Sequence, residues 1–258
     1  MAYHGVGAYR ASEWIEYGGQ RYDLKELSVL PDRFEKHLAY LKEKGYRPVS
    51  LKDFWLYRCG KTELPKKCAA ITFDDGFKNF FDFARPLLKK YGYSATVFLV
   101  TDKMDSEDRS FLSWAQARRL TEEGFSLGAH TLSHPLLTAL SFEAAERQIK
   151  ESKKVIEEKT AKPVEFFCYP FGKFNSKIEG LVREAGFLGA VVTPCGPGIE
   201  EGPYAMKRVG INKNNSKLVF RFKTSGAFSW LREQRLLWRI VDAGKALLAF
   251  SPAGRSIN

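Results

Sequence analysis

The 258-residue sequence predicts an α/β fold in which parallel strands alternate with helices and close into a distorted barrel of about seven strands. Two observations predict it: short apolar runs rich in β-branched and aromatic residues recur along the chain, and segments with apolar residues at helical spacing separate them. Such alternation gives a parallel sheet, which is either a closed barrel or an open, doubly wound sheet. We favour the barrel.

The predicted elements follow one another without a linker that would divide the barrel domain, which we assign to residues 1–215. Apolar runs predict strands at residues 2–6, 46–49, 68–73, 95–100, 125–129, 164–169, 190–193 and 207–211. Helical periodicity predicts helices at residues 31–44, 77–91, 113–123, 141–159 and 176–185. His37 lies on the first of these helices, and we expect it at the surface without a functional role.

Beyond residue 212 the alternation stops, and residues 228–250 predict one amphipathic helix that carries Trp230 and Trp238 among several arginines. We assign residues 216–258 to a helical extension. Its apolar stripe either packs on the barrel or, as a basic interfacial helix, makes peripheral contact with an anionic membrane surface.

The charge and the cysteine content restrict the partners and the location. The chain has 41 Lys and Arg against 30 Asp and Glu, a net charge of +11 that favours anionic surfaces or substrates. No nucleic-acid motif is present, and we expect no nucleic-acid partner. The four cysteines are too sparse for a disulfide framework, and no signal peptide is visible. We therefore expect a cytoplasmic protein or one at the cytoplasmic membrane face, or an extracytoplasmic one if an upstream segment is missing.

Two adjacent carboxylates, Asp74 and Asp75, follow the strand predicted at residues 68–73 and precede Gly76. Neighbouring carboxylates repel each other when both are ionised, and a cation beside one of them relieves that repulsion. One aspartate could then bind a metal while the other stays free. The alternative is a solvated Asp-Gly turn.

Two histidines, His130 and His134, follow the strand predicted at residues 125–129. If the loop after this strand makes one helical turn, both rings lie on the same side at a spacing that suits a single metal ion. Asp75 would complete a His, His, Asp set with positions open for water and substrate. The alternative is a pair of hydrogen-bonded polar histidines.

A third segment, from Tyr169 through Pro170 and Phe171 to Gly172, follows another predicted strand. A rigid turn at a strand end can point backbone N–H groups into a site, and Phe171 has an N–H where Pro170 has none. A purely structural turn is the alternative. In a parallel barrel all three segments meet at the carboxyl ends of the strands.

Together these segments resemble the polysaccharide deacetylases of carbohydrate esterase family four, the family with the NodB-type homology domain. The run T-F-D-D-G at residues 72–76 and the run H-T-x-x-H at residues 130–134 are similar to the first two motifs of that family. A-T-V-F-L at residues 95–99 and Y-P-F-G at residues 169–172 are also similar, so the resemblance extends from about residue 66 to residue 211.

The resemblance implies a metal-dependent hydrolase on a distorted, TIM-like barrel that removes N-acetyl groups from N-acetylglucosamine units of a polysaccharide or glycoconjugate. It implies that Asp75, His130 and His134 hold a divalent metal, usually Zn²⁺, with Co²⁺ and Ni²⁺ as alternatives, and that Asp74 is the general base. Tyr169, Pro170, Phe171 and Gly172 would line the substrate and oxyanion site.

Two positions depart from the family pattern. The arginine that usually stands two residues before the proline and braces the base is replaced by Cys168, and Arg208 is a candidate substitute. No histidine follows His134, so the usual C-terminal general acid is missing. His4 follows a short N-terminal strand, as in the permuted poly-N-acetylglucosamine deacetylases, and we predict that it is the general acid. A histidine exposed to solvent near the chain start is the alternative.

Two other functions remain open at this point. The basic charge and the amphipathic C-terminal helix would also suit a deacetylase or deformylase of a lipid-linked amino sugar. A carbohydrate-binding barrel without catalysis is the third reading, and it would apply if His4 does not reach the site.

Overall fold

The computed structural model describes residues 1–9, 13–17, 19–106, 109–193 and 199–228. The helix predicted at 228–250 lies outside these residues except for Phe228. Its contact with the barrel or with a membrane therefore stays a prediction. Among the described helices, none combines the length and the apolar character that crossing a bilayer requires.

Short strands make up most of the sheet structure. The described strands are β1 (Ala2–Tyr3), β2 (Gly5–Val6), β3 (Trp14–Tyr17), β4 (Gln20–Asp23), β5 (Ser28–Val29), β6 (Arg47–Pro48), β7 (Cys68–Ala69), β8 (Thr72–Phe73), β9 (Thr96–Leu99), β10 (Ser126–Ala129), β11 (Phe166–Cys168), β12 (Gly189–Val192) and β13 (Met206–Lys207).

The described α-helices pack mainly around this sheet structure. They are α1 (Leu24–Leu27), α2 (Pro31–Glu43), α3 (Leu51–Arg58), α4 (Arg85–Tyr91), α5 (Trp114–Glu122), α6 (Phe142–Thr160), α7 (Ser176–Glu184) and α8 (Lys217–Lys223).

The central sheet has seven parallel strands in the order β1-β8-β9-β10-β11-β12-β13. Its two edges are joined, because the chain after β13 hydrogen-bonds to β1. The Ala2 N–H donates to the Val209 carbonyl at 2.9 Å, and the Ile211 N–H donates to the Ala2 carbonyl at 2.8 Å. The sheet is thus curled into a distorted barrel, which confirms the predicted fold class.

The N-terminal strand completes this barrel, and the strand predicted at residues 2–6 is divided in two. β1 pairs with β8, whereas β2 leaves the central sheet and pairs with β5. The run at residues 68–73 is divided in the same way, because β7 pairs with β6 outside the central sheet. An apolar run shows that a segment is buried but does not show which partner strand each half meets.

The helix predicted at residues 77–91 also differs from the observed one. It begins as a π-helix, Phe80–Ala84, in which the Arg85 N–H donates to the Phe80 carbonyl, and continues as α4. Pro86 follows directly and has no N–H to donate, so the hydrogen-bond register changes at this point. The hairpin β3–β4 and helices α1 and α3 were not predicted, because they are short and carry weak periodicity. α8 falls inside the helical extension assigned to residues 216–258, but it was not predicted as a separate helix.

His37 is buried, and the prediction that it lies at the surface is wrong. Only 3% of the residue is exposed, and its ring stacks on Phe220 of α8 with the ring centroids 3.8 Å apart. The Tyr3 hydroxyl lies 3.2 Å from His37 Nδ1. His37 lies on the same face of α2 as the buried Phe34, Leu38 and Leu41, and Phe220 of α8 covers it.

Burial, with the charge of Arg33 as a smaller cause, lowers the pKa of His37 to about 4. The unfolded chain therefore binds this proton more readily than the folded one, and the folded state loses stability as the pH falls below about 6.5. Replacing His37 with phenylalanine keeps an aromatic ring against Phe220 and removes the titration. We expect the fall in unfolding free energy between pH 7 and pH 4.5 to shrink by about 2 to 3 kcal/mol.

Urea unfolding of wild type and His37→Phe at both pH values measures this difference. The loss of the Tyr3 contact is common to both pH values, so it cancels in the comparison. An equal pH dependence in the two proteins would contradict the prediction.

Candidate active site

The polar residues singled out in the sequence meet at one end of the barrel. Asp74 follows β8, His130 follows β10, and Tyr169 follows β11. These strands are parallel, so their carboxyl ends share one edge of the sheet. The barrel thus brings together side chains that are far apart in sequence.

Asp75, His130 and His134 form a buried cluster at this edge. Asp75 Oδ1 lies 3.5 Å from His130 Nε2 and 3.8 Å from His134 Nε2. One ligand atom from each residue lies within 4.8 Å of the other two. Two imidazoles and one carboxylate at these distances are a donor set typical of a catalytic zinc site, in which further positions stay open.

A backbone contact orients the His130 ring. His130 Nδ1 lies 2.7 Å from the Cys168 carbonyl oxygen, which can only accept a hydrogen bond. The proton therefore sits on Nδ1, and the lone pair of Nε2 faces Asp75. This is the usual way in which a second contact fixes the tautomer of a metal-binding histidine.

The loop that carries both histidines is not the helical turn that the spacing predicted. Thr131 and His134 have positive φ angles of 70° and 60°. The His134 N–H donates to Thr131 Oγ1 at 2.9 Å, and Gln148 Oε1 of α6 accepts the N–H groups of Leu132 and Ser133. These side-chain contacts stabilise a backbone that is otherwise costly for a β-branched residue.

Burial keeps both imidazoles neutral. It lowers the pKa of His130 to about 4. Burial, with the repulsion that a protonated His130 would exert as a smaller cause, lowers the pKa of His134 to about 3. Only the neutral ring can donate a lone pair to a metal. Asp75, only 1% exposed, therefore faces two neutral nitrogen donors, which is an arrangement that a cation would complete.

Asp74 lies beside this cluster and binds Arg208, which follows β13. The guanidinium donates from Nη1 to Oδ1 and from Nη2 to Oδ2, both at 2.7 Å. Burial alone would raise the pKa of the Asp74 carboxyl, but Arg208 outweighs it and holds this pKa well below the usual range. Asp74 thus pairs with Arg208, whereas Asp75 faces the two histidines. Separate partners relieve the repulsion between the adjacent carboxylates.

His4 and Asp74 lie side by side, because each directly follows one of two neighbouring strands, β1 and β8. Tyr3 is in register with Phe73, and the Asp74 N–H donates to the Tyr3 carbonyl at 2.9 Å. His4, the next residue, is half-buried and lies within electrostatic range of Asp74, His130 and His134. The N-terminal strand therefore delivers an imidazole to the same edge.

Several contacts hold the turn at residues 169–172, and its role in binding substrate stays a prediction. The Tyr169 hydroxyl donates to the Tyr204 carbonyl at 3.0 Å, and its N–H donates to the Val191 carbonyl at 3.3 Å. Gly172 has a φ of 63°, and a Cβ there would lie 2.6 Å from the Thr193 carbonyl oxygen. The buried Pro170 and the side chain of Tyr169 are thus part of the packing around the turn.

Phe171 is the member of this turn that contacts the donor cluster. Its backbone is left-handed with a φ of 58°, and its ring centroid lies 4.6 Å from that of His134. Left-handed residues that are not glycine are uncommon, and Asp75, Thr131, His134 and Phe171 are all of this kind. Backbone strain concentrated at one site is typical of a functional centre.

Comparison with known proteins agrees with this geometry. The sequence model described as polysaccharide deacetylase matches residues 61–190, half of the 258-residue chain. The chain belongs to the polysaccharide deacetylase family. The matched range contains Asp74, Asp75, His130, His134 and the turn after β11, but neither His4 nor Arg208.

Two relatives are similar to this chain over a longer range than the family model. YxkH of Bacillus subtilis, whose name places it among the polysaccharide deacetylases, is 28% identical over 195 residues, which are 75% of this chain and 69% of YxkH. The poly-beta-1,6-N-acetyl-D-glucosamine N-deacetylase of Staphylococcus aureus is 27% identical over 200 residues, or 72% of this chain and 68% of the relative.

Solved structures share the fold. A polysaccharide deacetylase from Bacillus cereus superposes with a TM-score of 0.70 at 27% identity and covers 87% of this chain and 68% of its own. The deacetylase PplD of Streptococcus pyogenes, in complex with acetate, has a TM-score of 0.75 at 23% identity and covers 87% of this chain and 96% of its own. The barrel architecture of this family member is therefore that of known deacetylases.

Some residues at the site were not found from the sequence. Gln148 lies on α6 among ordinary helical positions, and nothing in its spacing indicates that its amide binds the loop after β10. Ile15 of the hairpin β3–β4 packs against Phe77 and Phe111, and Phe77 directly follows Gly76. Its alternation is too short to be recognised without the structure.

Proposed function

We propose that the protein is a metal-dependent deacetylase that removes N-acetyl groups from N-acetylglucosamine units of a polysaccharide or glycoconjugate. The observation that carries the proposal is the buried set of Asp75, His130 and His134 beside the ion pair of Asp74 and Arg208. The N-acetylglucosamine polymer deacetylated by the staphylococcal relative supports this substrate class.

The donor set fits a divalent metal such as Zn²⁺. The two imidazoles are neutral, His130 is fixed with its Nε2 lone pair toward Asp75, and the three side chains are almost fully buried. A cation held by Asp75, His130 and His134 would polarise the amide carbonyl and lower the pKa of a nearby water. Co²⁺ and Ni²⁺ prefer similar donors and are alternatives.

Asp74 is the group that we propose as general base. Arg208 keeps its carboxyl ionised at neutral pH, so that it can accept a proton from the water that attacks the acetyl carbonyl carbon. The bidentate contact also fixes the plane of the carboxylate. A freely rotating base would lose part of its rate advantage, because proton transfer requires the oxygen to be held within hydrogen-bond reach.

His4 is the group that we propose as general acid. When the carbon–nitrogen bond breaks, the sugar nitrogen needs a proton to leave as an amine, and a protonated imidazole within reach can donate it. His4 stands at the same strand edge as Asp74. The Phe171 N–H is our proposed donor to the oxygen that gains negative charge during attack.

Acetate release from a panel of acetylated sugars tests the proposal. We expect the zinc-loaded protein to deacetylate β-1,6-linked N-acetylglucosamine oligomers, with β-1,4-linked oligomers as the comparison. If only a lipid-linked N-acetylglucosamine is turned over, the substrate of the enzyme is the lipid-linked sugar and not the polymer. Saturable binding of the oligomers without acetate release under any metal would favour a carbohydrate-binding barrel.

The general acid is tested by replacing His4. We expect His4→Ala to lower kcat about a hundredfold while leaving zinc affinity unchanged, because His4 is outside the donor set. A substrate with a better leaving group, such as an acetylated aniline, should lose much less. A His4→Ala enzyme with near wild-type kcat on the sugar would contradict the role of His4 and leave the deacetylase proposal standing.

A further inference from the structure

The Arg208 guanidinium is surrounded by acceptors, and one of them is a thiol. Nη1 donates to Thr72 Oγ1 at 2.8 Å and to Asp74 Oδ1, and Nη2 donates to Asp74 Oδ2 and to Cys168 Sγ at 3.2 Å. Each terminal nitrogen carries two hydrogens, so these four acceptors account for all of them. The ring of Phe98 lies 5.5 Å from the guanidinium carbon.

Cys168 supplies the fourth acceptor for the terminal nitrogens of the Arg208 guanidinium. It ends β11, is only 1% exposed, and has Sγ within 4.8 Å of both a carboxylate oxygen of Asp74 and a ring nitrogen of His130. Sulfur is a weak acceptor, but a bond to a buried cation is stronger than a neutral one. Without it, the terminal nitrogens of the planar guanidinium would keep only the contacts to Thr72 and Asp74, and its tilt against the Asp74 carboxylate would be less restricted.

The backbone of the same residue supports the other half of the site. The Cys168 carbonyl accepts the His130 Nδ1–H at 2.7 Å, whereas its thiol accepts from Arg208. Cys168 therefore contacts Arg208, the partner of the proposed base, through its side chain. It contacts His130, a proposed metal ligand, through its main chain. Replacing the side chain separates these two contacts, because the carbonyl remains.

We propose that Cys168 is a positioning residue for the deacetylation reaction, whose thiol holds the Arg208 guanidinium in the orientation that fixes the Asp74 carboxylate. The proposal rests on the function proposed above. It gives Cys168 no contact with substrate. It does predict that every effect of the thiol on catalysis passes through Arg208.

A double-mutant cycle tests this dependence. In the wild-type background we expect Cys168→Ala to lower kcat about fivefold with little change in KM, and Cys168→Ser to restore most of that loss, because a hydroxyl also accepts. In an Arg208→Met background, Cys168→Ala should have no further effect on kcat. An equal fivefold loss in both backgrounds, or no loss in either, would overturn the proposal.

Two further readouts separate positioning from a general packing defect. Zinc affinity, measured by competition with a chromophoric chelator, should be the same in Cys168→Ala and wild type, because the carbonyl contact to His130 is kept. A fall in zinc affinity that matches the fall in kcat would overturn the proposal. Cys59→Ala, at a half-buried cysteine that directly follows α3, is the matched control and should leave kcat unchanged.

The same cycle in urea unfolding distinguishes failure of this inference from failure of the proposed function. The pair should show a coupling in unfolding free energy whether or not any sugar is turned over. An inactive wild-type protein that retains this coupling would contradict the deacetylase function alone. An active enzyme without coupling would contradict the role of Cys168 alone.

Discussion

Replacing Asp74 with asparagine is expected to lower kcat for acetate release by about a thousandfold or more. The amide cannot accept the proton of the attacking water, and general-base catalysis is worth about 10² to 10⁴ in rate. Asp75, His130 and His134 are unchanged in this variant, so zinc should still bind. Measuring kcat and zinc affinity on the same preparation therefore separates loss of the base from loss of the metal.

Asp82→Asn is the matched control for this variant. Asp82 lies in the π-helix that follows the same strand, but it is exposed and outside the site. It should retain wild-type activity. An Asp74→Asn protein that kept more than about a tenth of the wild-type kcat would show that another group accepts the proton.

Replacing Arg208 with methionine is expected to have the second large effect, on both stability and rate. The variant keeps a similar side-chain length but leaves the Asp74 carboxylate buried without its cation. Breaking a buried ion pair on one side typically costs about 3 to 5 kcal/mol. We expect a loss of this size in unfolding free energy at pH 7, together with a fall in kcat of about a hundredfold.

The pH dependence of this loss has a definite sign. Without Arg208, burial is no longer opposed and raises the pKa of the Asp74 carboxyl, so protonation favours the folded variant. The stability difference from wild type should therefore shrink as the pH falls toward 4. The double variant Asp74→Asn with Arg208→Met should recover much of the stability and none of the activity.

Arg183→Met is the control for Arg208→Met. Arg183 forms an exposed ion pair with Glu179 one helical turn away on α7, and such pairs contribute little. The guanidinium carbon of Arg183 also lies 4.5 Å from the centroid of the Tyr204 ring, so its removal should change the unfolding free energy by no more than about 1 kcal/mol. An Arg208→Met protein as stable and as active as this control would contradict the bracing role of Arg208.

The sequence predicted the architecture well where apolar periodicity was long. The strands after which Asp74, His130 and Tyr169 stand were all found, because each is a buried run followed by a break. Strand partners were harder to predict, since β2 and β7 leave the central sheet for neighbours far along the chain. The burial of His37 depends on α8, seven residues long and not predicted as a separate helix.

The sequence predicted the candidate metal ligands of the site but not most of the residues that hold them in place. Their positions at strand ends and the family resemblance predicted that Asp75, His130 and His134 lie together. The loop reaches this arrangement through left-handed residues and Gln148 rather than through a helical turn. Arg208 was a candidate partner of Asp74, and the structure places it there. The contacts of Cys168 could not be read from sequence, because they depend on how β11 and β13 converge inside the barrel.

The measurement that tests the central claim most directly is a zinc titration of metal-stripped protein, with acetate release from a β-1,6-linked N-acetylglucosamine oligomer recorded at each addition. The account predicts no release before zinc is added, a linear rise, and a plateau at one equivalent. His134→Ala, measured in the same way, should show no such plateau. Full activity in the stripped protein, or a rise unaffected by His134→Ala, would contradict the assignment of Asp75, His130 and His134 as the metal site.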